Sequence, residues 1–95
     1  MPSYIDEEVE IKLFNILRKK YPERNGRVSE TNQWVAKVDG MTGVVVGENI
    51  MMYARGEGKV IEVGDGYAVV ELTERRDAPH PGDEVVSTGK VGDEQ

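Results

Sequence analysis

All eleven glycines of this 95-residue chain lie at or after position 26, and this uneven distribution constrains the fold more than any other feature. Glycine destabilises a helix interior, whereas tight turns between strands use its freedom to adopt positive φ. The glycine-free segment that comes first can therefore form a helix. The remainder shows no helical period and consists of short runs rich in β-branched and aromatic residues. We expect a mainly β protein with one N-terminal α-helix.

Segment 3–21 has the pattern of an amphipathic helix. Apolar side chains recur every four positions along it, with two more beside the stripe: Ile5, Val9, Leu13, Leu17, Tyr21, Phe14 and Ile16. Acidic residues occupy the first turn and basic residues the last, which suits the helix dipole. Pro22 ends the helix because its ring and its missing N–H cannot continue the hydrogen-bond ladder. The apolar face must be buried against the rest of the chain or against a neighbour.

Short β-rich runs follow, separated by turn residues such as Asp39-Gly40 and Gly64-Asp65-Gly66. The runs are Trp34–Val38, Gly43–Val46, Ile50–Ala54, Lys59–Val63, Tyr67–Thr73 and Glu84–Ser87. Five or six short strands with tight turns predict a small SH3-like or OB-like β-barrel, or a strongly bent antiparallel sheet, over residues 34–88. Residues 89–95 are predicted to be a tail, and residues 1–95 to form a single domain.

The composition excludes several classes of site. The net charge of −6 is uneven, because residues 1–27 sum to +1 and residues 28–95 to −7. An acidic body repels phosphate backbones, which argues against nucleic acid as a partner. The absence of cysteine excludes disulfides, thiol nucleophiles and zinc–thiolate sites. No apolar run approaches the length of about 18 residues that spans a membrane, and the acidic N-terminus lacks the apolar core of a signal peptide. We expect a cytoplasmic location, or a virion location if the protein is viral.

Candidate catalytic groups are few. His80 is the only histidine, and the loop around it offers neither a nucleophile nor a third group to orient a base. Glu7, Glu8 and Glu10 point in different directions on a helix, at the end where its dipole favours anions. The two Gly-acid-Gly loops do not lead from a strand into a helix, as phosphate-binding loops do. We expect no catalytic, metal or cofactor site and no small-molecule substrate.

The large apolar side chains between positions 50 and 55 suit either a core or a binding surface. Successive strand residues face opposite ways, so one of Met51 and Met52 is expected to face outward. Trp34, the only tryptophan, is interpreted as a packing centre of the core. The residues that we expect to contact a partner are Leu13, Leu17, Ile50, Met51, Met52, Tyr53 and Arg55.

Residues 55–72, Arg-Gly-Glu-Gly-Lys-Val-Ile-Glu-Val-Gly-Asp-Gly-Tyr-Ala-Val-Val-Glu-Leu, resemble the KOW-type strand–turn–strand of SH3-like barrels. The match covers about a fifth of the chain. This resemblance implies a barrel and a nucleic-acid- or ribosome-associated module, since members of that family bind ribosomal RNA. The basic residues available for such a role are Arg18–Lys20, Arg24, Arg27 and Arg75-Arg76.

Residues 42–86 are similar in order to the small co-chaperonin family. The matching segments are Thr42-Gly-Val-Val-Val46, Gly58–Gly66 and Pro81-Gly-Asp-Glu-Val-Val86. This resemblance implies a subunit of a ring-shaped lid with a mobile loop near residues 43–55. In this chain a helix replaces the family's first strand, and the family's closing strand is missing.

These features favour a non-catalytic structural or adaptor protein that acts through protein–protein interaction in a larger assembly. Its partners are expected to be other proteins, copies of itself, or both. The small size, the acidity and the absence of cysteine suit a phage or virus particle component, such as a connector, decoration or tail part. The alternatives are the nucleic-acid-associated module and the co-chaperonin-like ring subunit. An enzyme is the least favoured class, because it requires a polar pocket that holds His80 with a carboxylate.

Overall fold

The computed structural model describes residues 7–91. Along this range the chain forms one α-helix, one 3₁₀ turn and six strands. The elements are α1 (Glu7–Lys20), the 3₁₀ turn (Pro22–Arg24), β1 (Gly26–Asn32), β2 (Val35–Asp39), β3 (Glu48–Met52), β4 (Gly56–Gly64), β5 (Tyr67–Arg75) and β6 (Glu84–Val91). The predicted beginning of the helix, residues 3–6, lies outside the described residues, as does the end of the predicted tail, residues 92–95.

The six strands form an antiparallel sheet that closes into a barrel in the order β1-β2-β5-β4-β3-β6. The β4–β5 hairpin is its longest pairing. The ring closes where β6 returns to β1, at Gly26↔Val85 and Arg27↔Glu84. This topology confirms the predicted fold class, a mainly β chain with one N-terminal helix and a small closed sheet of short strands.

Two strand assignments differ from the prediction. β1 lies before the predicted barrel range, 34–88. The prediction missed it because its sequence is polar and only Val28 of it is buried. A strand with a single buried residue shows no alternation that a sequence pattern can reveal. The segment Gly43–Val46, predicted as a strand, is a loop. Its bends occur at Gly43 and Gly47, where φ is 88° and 95°, in the left-handed region that extended strands avoid.

The C-terminal boundary of the barrel also lies further along the chain than predicted. β6 continues to Val91, which pairs with Glu48 of β3. Positions 89–91 of the predicted tail, 89–95, therefore belong to the sheet.

The main hydrophobic core fills the barrel interior. Every strand contributes at least one buried apolar side chain to it, and Ile50, Met52 and Leu72 are fully buried there. Trp34, interpreted as a core residue, is partly buried and packs against this cluster. The guanidinium of Arg75 lies 5.4 Å from the centre of its ring, on the solvent side of the core.

A second, smaller core lies outside the ring, beneath α1. Phe14 and Leu17 of the helix pack with Met51 of β3 and Val86 of β6. The two strand side chains point out of the barrel because alternate residues of a strand face opposite sides of the sheet. Burial of each of these side chains contributes about 1.5–3 kcal/mol relative to exposure. The helix is therefore a structural part of the domain and not an appendage.

An ion pair with a buried carboxylate and a partly exposed guanidinium fixes the N-terminal half of α1 to the barrel. Glu10 is only 2% exposed. Its carboxylate accepts hydrogen bonds from Nη1 and Nη2 of Arg76, at 3.1 and 2.6 Å, and from the backbone N–H of Ala54, at 3.1 Å. The bonds from Arg76, above all, hold the pKa of Glu10 below its ordinary value, although burial alone would raise it.

A second buried carboxylate, that of Glu48, connects three parts of the ring. Glu48 is 1% exposed. It accepts hydrogen bonds from the hydroxyl of Ser87 in β6, from Nη1 of Arg24 at 3.2 Å and from the N–H of Val45 at 3.1 Å. Arg24 belongs to the 3₁₀ turn that leads into β1, so one carboxylate joins the chain before β1, the loop before β3 and the strand that closes the barrel.

Replacing Glu10 with Gln should weaken the docking of α1. An amide cannot accept the charge-assisted bidentate bonds of Arg76, so we expect the free energy of unfolding to fall by about 2 kcal/mol at pH 7. Chemical denaturation of the Glu10→Gln variant measures this. Glu8→Gln, a change at an exposed position of the same helix, is the matched control and should leave stability unchanged.

The same pair has a defined pH dependence. Because the pKa of Glu10 is lower in the folded chain than in the unfolded chain, its stabilising contribution is present above the unfolded carboxyl pKa. It is lost as the pH falls through the folded value. The stability difference between the wild type and Glu10→Gln should therefore shrink on acidification, and a difference that stays constant would contradict this account.

Candidate functional site

A groove runs along one flank of α1, between the helix and the outer face of the barrel. Its volume is about 540 Å³, and we call it the α1 groove. The helix forms one wall, and strands β3, β4, β5 and β6 form the floor and the other wall. Its lining residues are Leu13, Ile16, Leu17, Lys20, Asn49, Met51, Glu57, Gly58, Thr73, Thr88 and Lys90.

The helical wall of the α1 groove is apolar. Leu13 and Leu17 are one turn apart, as are Ile16 and Lys20, so the four residues form two adjacent rows on one flank of the helix. Leu17 is buried under the helix and Leu13 is half-buried. Ile16 is 59% exposed. The exposed side chain of Ile16 therefore lies beside Leu13 and Leu17, which are already half-buried and buried.

The floor and the opposite wall combine apolar and polar groups. Met51 is buried in the floor, and a side chain at Gly58 would collide with the backbone of Glu71, so this position stays open. The hydroxyl of Thr88 donates to the carbonyl of Asn49 at 3.0 Å. The hydroxyl of Thr73 donates to the carbonyl of Glu57 at 3.3 Å. These bonds hold the polar wall in one arrangement before anything binds.

The α1 groove carries charged groups of both signs. Lys20 and Lys90 line it, and both are exposed. Glu57 lines it as well, and Glu74 lies directly across from Glu57 on β5. Burial raises the pKa of Glu57, and the like charge of Glu74 raises it further, whereas the guanidinium of Arg76 acts in the opposite direction.

The other flank of α1 has a smaller hollow of about 200 Å³. Its lining residues are Ile11, Phe14, Asn15, Arg18 and Tyr53. The rings of Phe14 and Tyr53 lie 6.0 Å apart and are tilted by 58°. Arg18 bridges the helix to Glu84 of β6 at 3.2 Å. These contacts hold the helix against the barrel on this side. Of the two recesses, the α1 groove is the larger.

The structure brings together some of the predicted partner-contacting residues. Leu13, Leu17 and Met51 line the α1 groove. Tyr53 lies on the opposite flank of the helix, against Phe14. The expectation that one of Met51 and Met52 faces outward is correct for Met51, but α1 covers it.

Three other predicted residues lie elsewhere. Ile50 and Met52 point into the barrel and are fully buried, so neither is exposed to a partner. The strand alternation that turns Met51 outward turns both of them inward. Arg55 bonds to Asp83 at 3.0 Å and to Asp77 at 2.7 Å, which orders the loop after β5.

Sequence reasoning missed most of the polar lining of the α1 groove. These residues come from four different strands, and their only shared feature is the sheet order that brings them together: Asn49, Glu57, Thr73, Thr88 and Lys90. Ile16 was the residue that the sequence could have indicated. It lies beside the apolar stripe and not on it, which leaves it exposed when the stripe docks.

The arginines proposed for contacts with nucleic acid have partners within the chain. Arg24 pairs with Glu48, Arg76 with Glu10 and Arg18 with Glu84. Arg27 donates to the carbonyl of Gly82, and Arg75 lies near Trp34 and Glu71. His80 is exposed, and its backbone N–H donates to the carboxylate of Asp83 at 2.8 Å. Among residues 7–91 no three His, Asp or Glu side chains converge on a point that could hold a metal ion.

No protein-family model matches the chain, and a comparison with curated proteins finds no significantly similar sequence. Within the described range, α1 is too short and too polar to cross a membrane. The geometry of the α1 groove is therefore the basis for a functional assignment.

Glu74→Gln should bring the pKa of Glu57 down toward its ordinary value. The change removes the neighbouring like charge, and only burial and the weaker effect of the Glu10 charge remain to raise the pKa. A carboxyl titration followed by carbon-13 NMR measures it, with the exposed Glu23→Gln as a control in the 3₁₀ turn. An unchanged Glu57 titration in Glu74→Gln would show that the two carboxylates do not interact.

Proposed function

We propose that this protein is a non-catalytic adaptor that holds a segment of a partner protein in the α1 groove, within a larger assembly. The observation that carries the proposal is Ile16. Its aliphatic side chain is 59% exposed at the edge of the α1 groove, next to the apolar side chains of the helical wall. Covering this side chain together with Leu13 would remove contiguous apolar surface from water, which is the main driving force of association.

The composition of the α1 groove supports a peptide segment as the occupant. Leu13 and Met51 give it an apolar centre with Ile16 at the edge, and the hydroxyls of Thr73 and Thr88 give it a polar margin. Protein interfaces have this organisation, with an apolar centre inside a polar rim.

The closed sheet supports recognition through side chains. A partner that adds a strand needs an exposed sheet edge, whereas each strand of the ring has two neighbours and only short stretches, such as residues 29–32 of β1, extend beyond the pairing with the second one. The flank of α1 offers the alternative, a groove between a helix and a sheet.

The charge distribution supports a protein partner over nucleic acid. The chain carries a net charge of −6. The arginines that could contact phosphates are engaged with carboxylates or carbonyls of the same chain, and freeing them would break Arg76–Glu10 and Arg24–Glu48. Nucleic-acid affinity depends on basic groups that are free to neutralise phosphates.

Ile16→Glu should abolish the adaptor function without unfolding the chain. Peptides selected from a random displayed library against the immobilised protein provide the ligands. We expect Ile16→Glu to weaken their binding by at least about tenfold, because a charge replaces the exposed aliphatic contact. Ile61→Glu is the matched control, since Ile61 is 43% exposed on β4 and does not line the α1 groove. Equal affinities for the two variants, or a library without binders, would contradict the proposal.

A different surface favours a second candidate, self-association. Four branched aliphatic side chains are exposed near one another, and we call them the loop patch: Val45 (49%), Val46 (58%), Ile61 (43%) and Val63 (43%). The N–H of Gly47 donates to the carbonyl of Val60 at 2.8 Å, which places the backbone after Val46 beside the backbone before Ile61. Apolar patches of this kind are common at contacts between copies of a chain.

Light scattering over a concentration series, at two salt concentrations, tests the loop patch. If the patch joins copies, the apparent mass should rise with concentration, and Val46→Glu should keep the chain monomeric. Ile16→Glu serves here as the control and should associate like the wild type. A wild-type mass that stays at 10.6 kDa throughout would rule out self-association.

A further inference from the structure

The two ends of the α1 groove carry opposite charges. Lys20 is the last residue of α1 and precedes Tyr21, whose ring lies against Gly89. Lys90 follows Gly89, so the two lysines mark the end of the groove beside the C-terminus of the helix. This end is positive.

The opposite end of the groove is negative. Glu57 lies across from Glu74 on the β4–β5 hairpin. The carboxylate of Glu10 accepts a hydrogen bond from the N–H of Ala54, three residues before Glu57, so the start of β4 lies beside the first half of α1. The groove therefore has an acidic end near Glu10 and a basic end near Lys20.

We propose that the α1 groove, in the adaptor role proposed above and resting on it, binds an extended peptide segment of dipolar charge. The segment carries an acidic residue that meets Lys20 and Lys90. Aliphatic residues follow and lie against Ile16 and Leu13. A basic residue at its other end meets Glu57.

The length of the groove fixes the spacing of these residues. The helix rises about 1.5 Å per residue, so the axis advances about 10–15 Å between the Glu10–Leu13 turn and Lys20. An extended chain covers about 3.3 Å per residue. The acidic and basic residues of the segment are therefore about three to five positions apart.

The environment of Glu57 supports a basic residue of the partner at the acidic end of the α1 groove. Burial and the charge of Glu74 both disfavour the ionised form of Glu57, as its raised pKa records. A cation from the partner would offset both effects, since an opposite charge within about 4–6 Å favours the ionised form. A uniformly acidic ligand, such as a nucleic acid, would instead bring further negative charge to Glu57 and Glu74.

Three synthetic peptides with the same aliphatic centre, Leu-Ser-Val, test the proposal. One has Asp-Asp at its start and Lys-Lys at its end, one has Asp-Asp at both ends, and one has Lys-Lys at both ends. Binding is followed by titration of the nitrogen-15-labelled chain. At low salt we expect the dipolar peptide to bind at least about fivefold more tightly than either uniform peptide. The amide shifts should map to both walls of the groove.

Charge reversal in the protein should change the preferred peptide. Lys20→Glu combined with Lys90→Glu makes both ends acidic, so this variant should prefer the peptide with lysines at both ends. Glu57→Lys should prefer the peptide with aspartates at both ends. Lys12→Glu combined with Lys19→Glu is the matched control for the Lys20 and Lys90 variant. It changes the net charge by the same amount, at exposed helix positions outside the groove lining. This control should keep the dipolar preference.

The outcomes separate this inference from the adaptor proposal. Equal affinities of the three peptides, with shifts that still map to the groove and are lost in Ile16→Glu, would overturn the dipolar assignment and leave the adaptor intact. A preference for the doubly acidic peptide in the wild type would overturn it as well and indicate an anionic partner. If library-selected peptides also fail to depend on Ile16, both proposals fall.

Discussion

The ion pair between the buried Glu10 and the partly exposed Arg76 is the contact on which the candidate site depends. It holds the first half of α1 against the barrel, and one wall of the α1 groove exists only while the helix stays there. The same guanidinium also moderates the raised pKa of Glu57 in the groove. One cation thus serves two carboxylates, one structural and one in the binding surface. The attachment of the helix and the electrostatics of the groove are therefore linked.

The helix has a double role that follows from its apolar pattern. Phe14 and Leu17 cover Met51 and Val86, which the barrel necessarily turns outward. Only part of the apolar surface of α1 is used in this way, since Val9 and Ile16 remain exposed. Val9 and Ile16 therefore extend the apolar stripe beyond the part that packs on the barrel. The excess width of the stripe is the feature of α1 that packing within the chain does not explain.

The fold could be predicted from sequence to the extent that local patterns encode it. The helix, its end before Pro22 and the β4–β5 hairpin all carry local signals, namely a helical period, a proline and a Gly-Asp-Gly turn. β1 could not be found because it buries only Val28. The candidate site was harder to predict because Glu57, Thr73 and Thr88 become neighbours only when the sheet closes. Pairings between distant strands leave no trace in local periodicity.

The adjacent methionines of β3 affect how strongly the register of this strand is specified. Met52 lies in the core inside the barrel and Met51 in the smaller core under the helix, so β3 contributes a methionine to each core. A slip of one residue would exchange them with almost no change in shape or hydrophobicity at these positions. Glu48 helps to discriminate between the two alignments, because its carboxylate accepts hydrogen bonds from the hydroxyl of Ser87 and the guanidinium of Arg24 in the native one. Ile50 discriminates as well, since a slip would turn it out of the barrel interior. The buried carboxylate at the start of β3 thus helps to set the register of a strand whose two adjacent methionines do not specify it.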